Sequence, residues 1–179
     1  MSEDLELLKY PIGKFKKSEV FSRKSIEDAI IILKAFPMWL DASIENLDEY
    51  QLNTPYRDGG WTVNQVVHHL ADSHINAYIR IKLALTQDTP EVNAYDENKW
   101  AVLPDVFALP VNMSTTLIHG LHARMTALME RMTDEDWQRG YYHNGYKRHF
   151  ALWEVAELYA WHSKHHLAHI SSLRGRNHW

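Results

Sequence analysis

Cysteine is absent from this chain, and with it go thiol nucleophiles, Cys-x-x-Cys redox pairs and thiolate zinc sites. Any bound metal must therefore be held by nitrogen and oxygen. No run approaches the roughly eighteen apolar residues of a membrane span, and the charged start MSEDLELLKYPIGKF lacks the apolar stretch of a secretion signal. A basic surplus is missing too: the net charge is -4 and the pI near 6.3, which argues against a nucleic-acid surface as the main purpose. Repeats and low-complexity tracts do not occur. These absences make the cytoplasm the expected compartment, with no nucleic-acid or membrane partner. What is present is globular material: 45% hydrophobic and 23% charged residues, with seven Trp, nine Tyr and five Phe. At 179 residues the chain can bury a continuous core as one domain over 1–179, without a structural metal to hold it.

Residues 1–21 carry Pro11 and Gly13 and read as an irregular surface arm. From Ser22 or Ser25 the positions Ile26, Ala29, Ile30, Leu33, Phe36, Leu40 and Ile44 repeat with helical period, and Pro37 is expected to kink this helix or open a second segment. The stretch DEYQLNTPYRDGG reads as loop. Thr62 and Gln65 form a T-x-x-Q capping box that starts a long helix at Val63, running to about Leu85. Loop with one short helix around Asp96 to Leu103 should follow, then a third long helix from about Thr115 to Arg131 and a further box at Thr133 and Asp136. Asn144-Gly145 between aromatic flanks is a hairpin signal. The last helix covers about Leu152 to Arg174, with Gly175 as its stop. The expected fold is all-α: an up-and-down four-helix bundle with a short β-hairpin before the last helix.

The last helix contains AWHSKHHLAHI, Ala160 to Ile170. Steps of three and four pass through Leu152, Val155, Tyr159, His162, His166, His169 and Leu173, so histidines continue a stripe facing the bundle interior. Buried neutral imidazoles cost free energy unless each nitrogen has a partner. A metal ion answers this, taking one nitrogen of each ring and leaving the other to donate to a neighbouring oxygen. Residues four apart stand above one another, which gives the pairs His162/His166 and His165/His169. Twelve histidines produce on the order of one HxxxH pair by chance, so the stripe and not the spacing selects His162/His166. His165 steps off that face and is expected on the solvent side.

A catalytic site needs a third ligand from another element. HHLADSH on the second long helix offers His68, His69 and His74. Periodicity selects His74, among Val66, Val67, Leu70, Ala77 and Ile81, where a hydrogen-bonded core or near-core histidine is the commoner explanation. His69 lies on a polar strip with Ser73, Asn76 and Arg80. A site open to substrate belongs at the border of core and cavity, which brings His69 level with His74. The residues alone leave the two unresolved.

WTVNQVVHHLAD, Trp61 to Asp72, together with WHSKHHLAHI, Trp161 to Ile170, resembles the DinB/YfiT-like superfamily of metal-dependent hydrolases, and the YfiT branch in particular. The likeness spans roughly 20–175 and includes the TPYRDGGWT loop and the RGYYH hairpin. It implies a four-helix bundle with one divalent ion, zinc or nickel, per subunit of a cytoplasmic homodimer. Matched to the superfamily's motifs, the ligands are His69, His162 and His166, a set that excludes His74. His169 departs from the glutamine of many relatives, which keeps a role beside the site open for it.

An open three-imidazole site suits two chemistries: activation of water against a small-molecule amide or ester, or capture of a low-molecular-weight thiol as thiolate, as in related bacillithiol and mycothiol S-transferases. A non-catalytic metal-binding bundle is the reading from another class, but the Glu-x-x-His pairs of metal stores are missing. Ser163 after His162 also departs from the HExxH helix of zinc proteases. Asp72, Ser73, Arg80 and Glu157 are candidates for proton transfer or substrate contact, each with a structural role as the commoner explanation.

Overall fold

The computed structural model describes residues 3–179; the first two residues of the expected arm lie outside it. The elements in chain order are α1 (Glu3–Lys9), α2 (Arg23–Ile44), α3 (Glu49–Leu52), α4 (Val63–Thr86), β1 (Glu91–Val92), α5 (Glu97–Trp100), α6 (Pro104–Ala108), α7 (Val111–Met129), α8 (Asp134–Gln138), β2 (Gly140–His143), β3 (Arg148–Ala151) and α9 (Leu152–Asn177).

The long helices α2, α4, α7 and α9 form a four-helix bundle. Helix α2 packs against α7 and α9, and α4 packs against the same two, so α2 and α4 stand diagonally opposite. The connections 45–62, from α2 to α4, and 130–151, from α7 to α9, cross the bundle diagonally and are long enough to permit this order, since neighbours in sequence need not be neighbours in the bundle. The interior is filled from all four: Leu33, Phe36, Leu40, Val66, Leu70, Ile118, Met125 and Ile170 are fully buried, each worth roughly 1.5–3 kcal/mol of transfer free energy.

Local chemistry sets the helix starts. Ser22 caps α2 by accepting from the Ser25 N–H, and Thr62 with Gln65 forms the full capping box of α4. Gln65 Nε2 also donates to the Ala101 carbonyl at 2.9 Å, and Asn64 Nδ2 to that of Val106, which ties the 87–110 connection onto the start of α4.

Several sequence expectations need correction. Pro37 opens no second segment: α2 runs through it, and the Leu33 carbonyl that its missing N–H leaves over is taken by a side-chain donor described below. The arm contains α1, and Ser18 anchors it to α9 by donating through N and Oγ to the Glu157 carboxylate at 3.0 and 2.7 Å. A box at Asp48 and Gln51 starts α3 within the 48–60 loop. In the next connection β1 forms beside two short helices, and α7 begins at Val111. Gly175 does not stop α9, whose left-handed cap is His178, with φ 58°.

The hairpin is present, with His143 opposite Arg148. Its four-residue turn places the left-handed residue at Lys147, φ 51°, and not at Gly145. Strand β1 adds to β2 in parallel, giving the order β1-β2-β3. Gly140 is obligatory here: a Cβ would lie 2.1 Å from the Phe150 carbonyl oxygen. Arg148 donates through Nη1 and Nη2 to the buried Glu154 carboxylate and lies over the Phe150 ring, locking the hairpin to the first turn of α9.

Candidate metal centre

The capping box fixes the phase of α4, and that phase turns His69, Ser73 and Arg80 toward one cavity of about 620 Å³. Helix α9 closes its near side with Tyr159, His162 and His166, and the hairpin supplies Tyr141, His143 and Tyr146 opposite. At one end the ring nitrogens of His69, His162 and His166 lie within 4.8 Å of one another. His69 Nε2 and His162 Nε2 stand 3.3 Å apart. Two imidazoles bound to one tetrahedral ion at about 2.1 Å per bond would put their nitrogens about 3.4 Å apart, so the donor set fits a metal. Trp61 covers the cluster, its ring 4.6 Å from that of His69. His69 and His166 are buried, and His162 is the most accessible of the three.

All three rings are neutral at pH 7. Burial is the chief cause in each: it pushes His69 down to about 4 and, reinforced by neighbouring imidazoles, holds His162 and His166 well below their ordinary value. A neutral imidazole has one N–H and one lone pair, and two hydrogen-bond chains determine which nitrogen carries which.

Pro37 has no N–H, so the Leu33 carbonyl in α2 lacks its helical donor. His122 Nδ1 fills that role at 2.7 Å. Since a carbonyl only accepts, His122 donates from Nδ1 and accepts at Nε2. His74 Nδ1, 2.8 Å from that Nε2, must then donate, leaving His74 Nε2 to accept from His162 Nδ1 at 3.2 Å. The bare nitrogen of His162 is thus Nε2, the one facing His69. A second chain ends on the Lys9 carbonyl, which takes the Nε2–H of His169 at 3.1 Å. His169 Nδ1 therefore accepts from His166 Nδ1 at 3.4 Å, and His166 too is left with a bare Nε2. Both rings from α9 are held in the tautomer that metal binding requires. Burial keeps His122 and His169 neutral, each at about 4.

His74, the periodicity choice, is fully buried and belongs to this supporting chain and not to the cluster. His68 turns to the α7 side, its Nδ1 2.8 Å from Ser114 Oγ. His165 is not on the solvent side: it is buried, stacked on Trp161 at 4.5 Å and covered by Tyr10 from the arm. Of the other candidates, Ser73 and Arg80 line the cavity. Glu157 is engaged with Ser18, and Asp72 lies off the cavity, half-buried, with burial and then Asp105 raising its pKa to about 6. His122, His143 and the aromatic walls Tyr95 and Tyr141 escaped sequence reasoning, since no spacing within one helix links them to the cluster.

Residues 33–170 match the DinB superfamily profile. The chain is 46% identical over 172 residues, 96% of its length and 97% of the relative's, to the Bacillus subtilis protein named "Putative metal-dependent hydrolase YfiT". A Bacillus licheniformis protein of similar name is also 46% identical, over 98% of this chain and 99% of its own. The solved structure of Bacillus subtilis YfiT, described as an unusual four-helix-bundle topology, superposes with a TM-score of 0.94 over 97% of this chain and 99% of that one. A mycothiol-dependent maleylpyruvate isomerase shares the fold, with a TM-score of 0.59 at 16% identity over 78% of this chain and 60% of that one.

Proposed function

The chain belongs to the DinB superfamily, and from that premise we propose that it is a metal-dependent hydrolase acting on a small molecule, with one divalent ion held by His69, His162 and His166. The observation that carries the reading is the convergence of three neutral imidazoles, two with Nε2 bared by hydrogen bonding, at the end of a cavity of substrate size. A divalent ion bound there supplies the Lewis acidity that makes water nucleophilic at neutral pH. His162 and His166 orient through their Nδ1 partners, Trp61 shields the cluster, and the accessible side of His162 opens on the cavity where an ester or amide would lie. Nitrogen-only ligation suits zinc or nickel and disfavours calcium and magnesium, which require oxygen.

One domain over 1–179, a cytoplasmic location and a homodimer complete the proposal on the strength of family membership. Exposed Ile31, Met38 and Trp39 on α2 and Met113 and Leu117 on α7 supply apolar surface for a second subunit. Among the described residues no helix is long and apolar enough to cross a membrane.

Thiol S-transfer is the second reading, favoured by a cavity large enough for two small reactants beside the cluster. Turnover of an ester and amide panel by the zinc-loaded protein, with and without a low-molecular-weight thiol, tests both. Turnover with water alone supports the hydrolase, a strict thiol requirement supports transfer, and neither activity removes the enzymatic reading.

A further inference from the structure

Arg80 is a buried cation without a counter-ion. It is 8% exposed, and its Nη2 donates to the Asn93 carbonyl at 2.8 Å. Every ion pair among the described residues joins other groups. The carboxylate on the cavity wall, Glu97, is exposed and also borders the cleft beside His169. Removing a guanidinium from water without a compensating charge is costly, so a buried cation is paired or has a ligand to hold. The guanidinium borders the same cavity as the three imidazoles, where a planar fork of N–H groups matches an oxyanion.

Its partners are neutral, the Asn93 carbonyl and the Tyr159 hydroxyl, and a further N–H donor lines the same cavity. His143 Nδ1 accepts from the backbone N–H groups of Gly145 and Tyr146 at 3.2 and 3.3 Å, so the neutral ring carries its proton on Nε2. Both side chains line the same cavity, and after burial the guanidinium is the next cause that holds His143 below its ordinary pKa. Tyr159, beside Arg80, donates its hydroxyl to the Ser73 carbonyl at 3.2 Å and presents its ring to the cavity.

We propose that Arg80, assisted by His143 Nε2–H, binds a carboxylate or phosphate of the substrate, so that the enzyme acts on elongated anionic small molecules with an apolar or aromatic middle. The placement sets a length. Arg80 follows His69 by eleven positions on α4, about 16 Å of helix rise, and since both side chains tilt toward the helix start, anion and reacting group are separated by roughly 10–16 Å, the shorter figure applying if the longer arginine arm reaches further back. Tyr95, Tyr141 and Tyr159 flank the intervening space. The inference rests on the hydrolase reading, whose substrate class it names.

Isothermal titration of zinc-loaded protein with 4-phenylbutyrate, 2-phenylethyl phosphate and the neutral 4-phenylbutanamide tests it. Wild type should bind at least one anion about tenfold or more tighter than the amide, as a charge-assisted hydrogen bond requires, and the tighter anion identifies carboxylate or phosphate. Arg80→Gln and Arg80→Met should erase that preference with zinc content and helical circular dichroism unchanged. His69→Ala should lose zinc and keep the preference. Equal binding of amide and anions by wild type overturns the proposal. So does a preference that survives loss of Arg80, or one that vanishes in His69→Ala, because the anion would then sit on the metal. If neither Arg80 variant folds, the anion-to-amide ratio in His69→Ala decides. A His69→Ala protein that retains its zinc contradicts the metal-site reading and leaves the Arg80 result standing.

Discussion

Replacing His74 with phenylalanine should weaken metal binding although His74 touches no metal. The ring is fully buried, stacked on Phe36 at 5.4 Å and edge-on to Tyr159 at 5.1 Å, so phenylalanine keeps the apolar contacts. It removes both hydrogen bonds of the ring. His122 Nε2 and His162 Nδ1 each lose a partner, at roughly 1–3 kcal/mol of folding stability per orphaned group. More specifically, His162 is then free to move its proton to Nε2, the nitrogen that must be bare. Loss of a hydrogen-bond partner behind a metal-binding histidine weakens affinity about 10–100-fold, or about 1.4–2.7 kcal/mol. Competition against a chromogenic chelator measures the affinity, and two-bond ¹H–¹⁵N spectra of the metal-free protein identify the protonated nitrogen of His162. His122→Phe should weaken binding less, since His74 can still accept from His162. An affinity within about twofold of wild type for a folded His74→Phe protein, with the His162 tautomer unchanged, would refute the chain running from the Leu33 carbonyl to the site.

Other consequences are open to measurement. Folded-state pKa values near 4 for His69, His122, His165 and His169 lie below the unfolded value of about 6.5, so between these limits the unfolded chain binds protons that the folded chain does not. Stability of the metal-free protein should therefore fall as pH drops from 6.5 toward 4, by about 1.4 kcal/mol per pH unit for each fully shifted ring. Urea melts at pH 7.5, 6 and 5 with equal midpoints would contradict this. Arg148→Ala leaves the buried Glu154 carboxylate unpaired and should cost about 2 kcal/mol, below the full cost of a broken buried pair because Arg148 is half exposed; an unchanged chemical-denaturation midpoint would argue against the clamp. Ser18→Ala removes the hydroxyl donor to Glu157 and leaves only the backbone N–H of residue 18 to hold the arm, and faster amide exchange around Tyr10 should report it.

Much of the site was legible where chemistry is local. The Thr62/Gln65 box fixes where α4 begins, and hence which of its faces His69, Ser73 and Arg80 share. The stripe through Tyr159, His162 and His166 shows that these histidines point inward. The choice between His69 and His74 was not legible, because both lie on inward-facing parts of α4 and periodicity does not report where the interior opens into a cavity. His165 was misplaced for a related reason: the face it occupies is covered by Tyr10 of an arm more than 150 positions away, and no helical period records that contact. The role of Pro37 was hidden as well. A proline in a helical pattern signals a kink, but which side chain takes up the vacated carbonyl depends on α7 lying beside α2. Strand β1, two residues long, forms only because β2 is alongside to pair with it.

The central claim is that His69, His162 and His166 together hold one ion. Zinc and nickel content by mass spectrometry, after chelation, re-addition and desalting, tests it on wild type, His69→Ala, His162→Ala and His165→Ala. The account predicts about one ion per chain for wild type and His165→Ala, and a loss of at least tenfold in affinity for the other two. Wild-type protein that retains no metal, or a His69→Ala protein that retains a full equivalent, would contradict it.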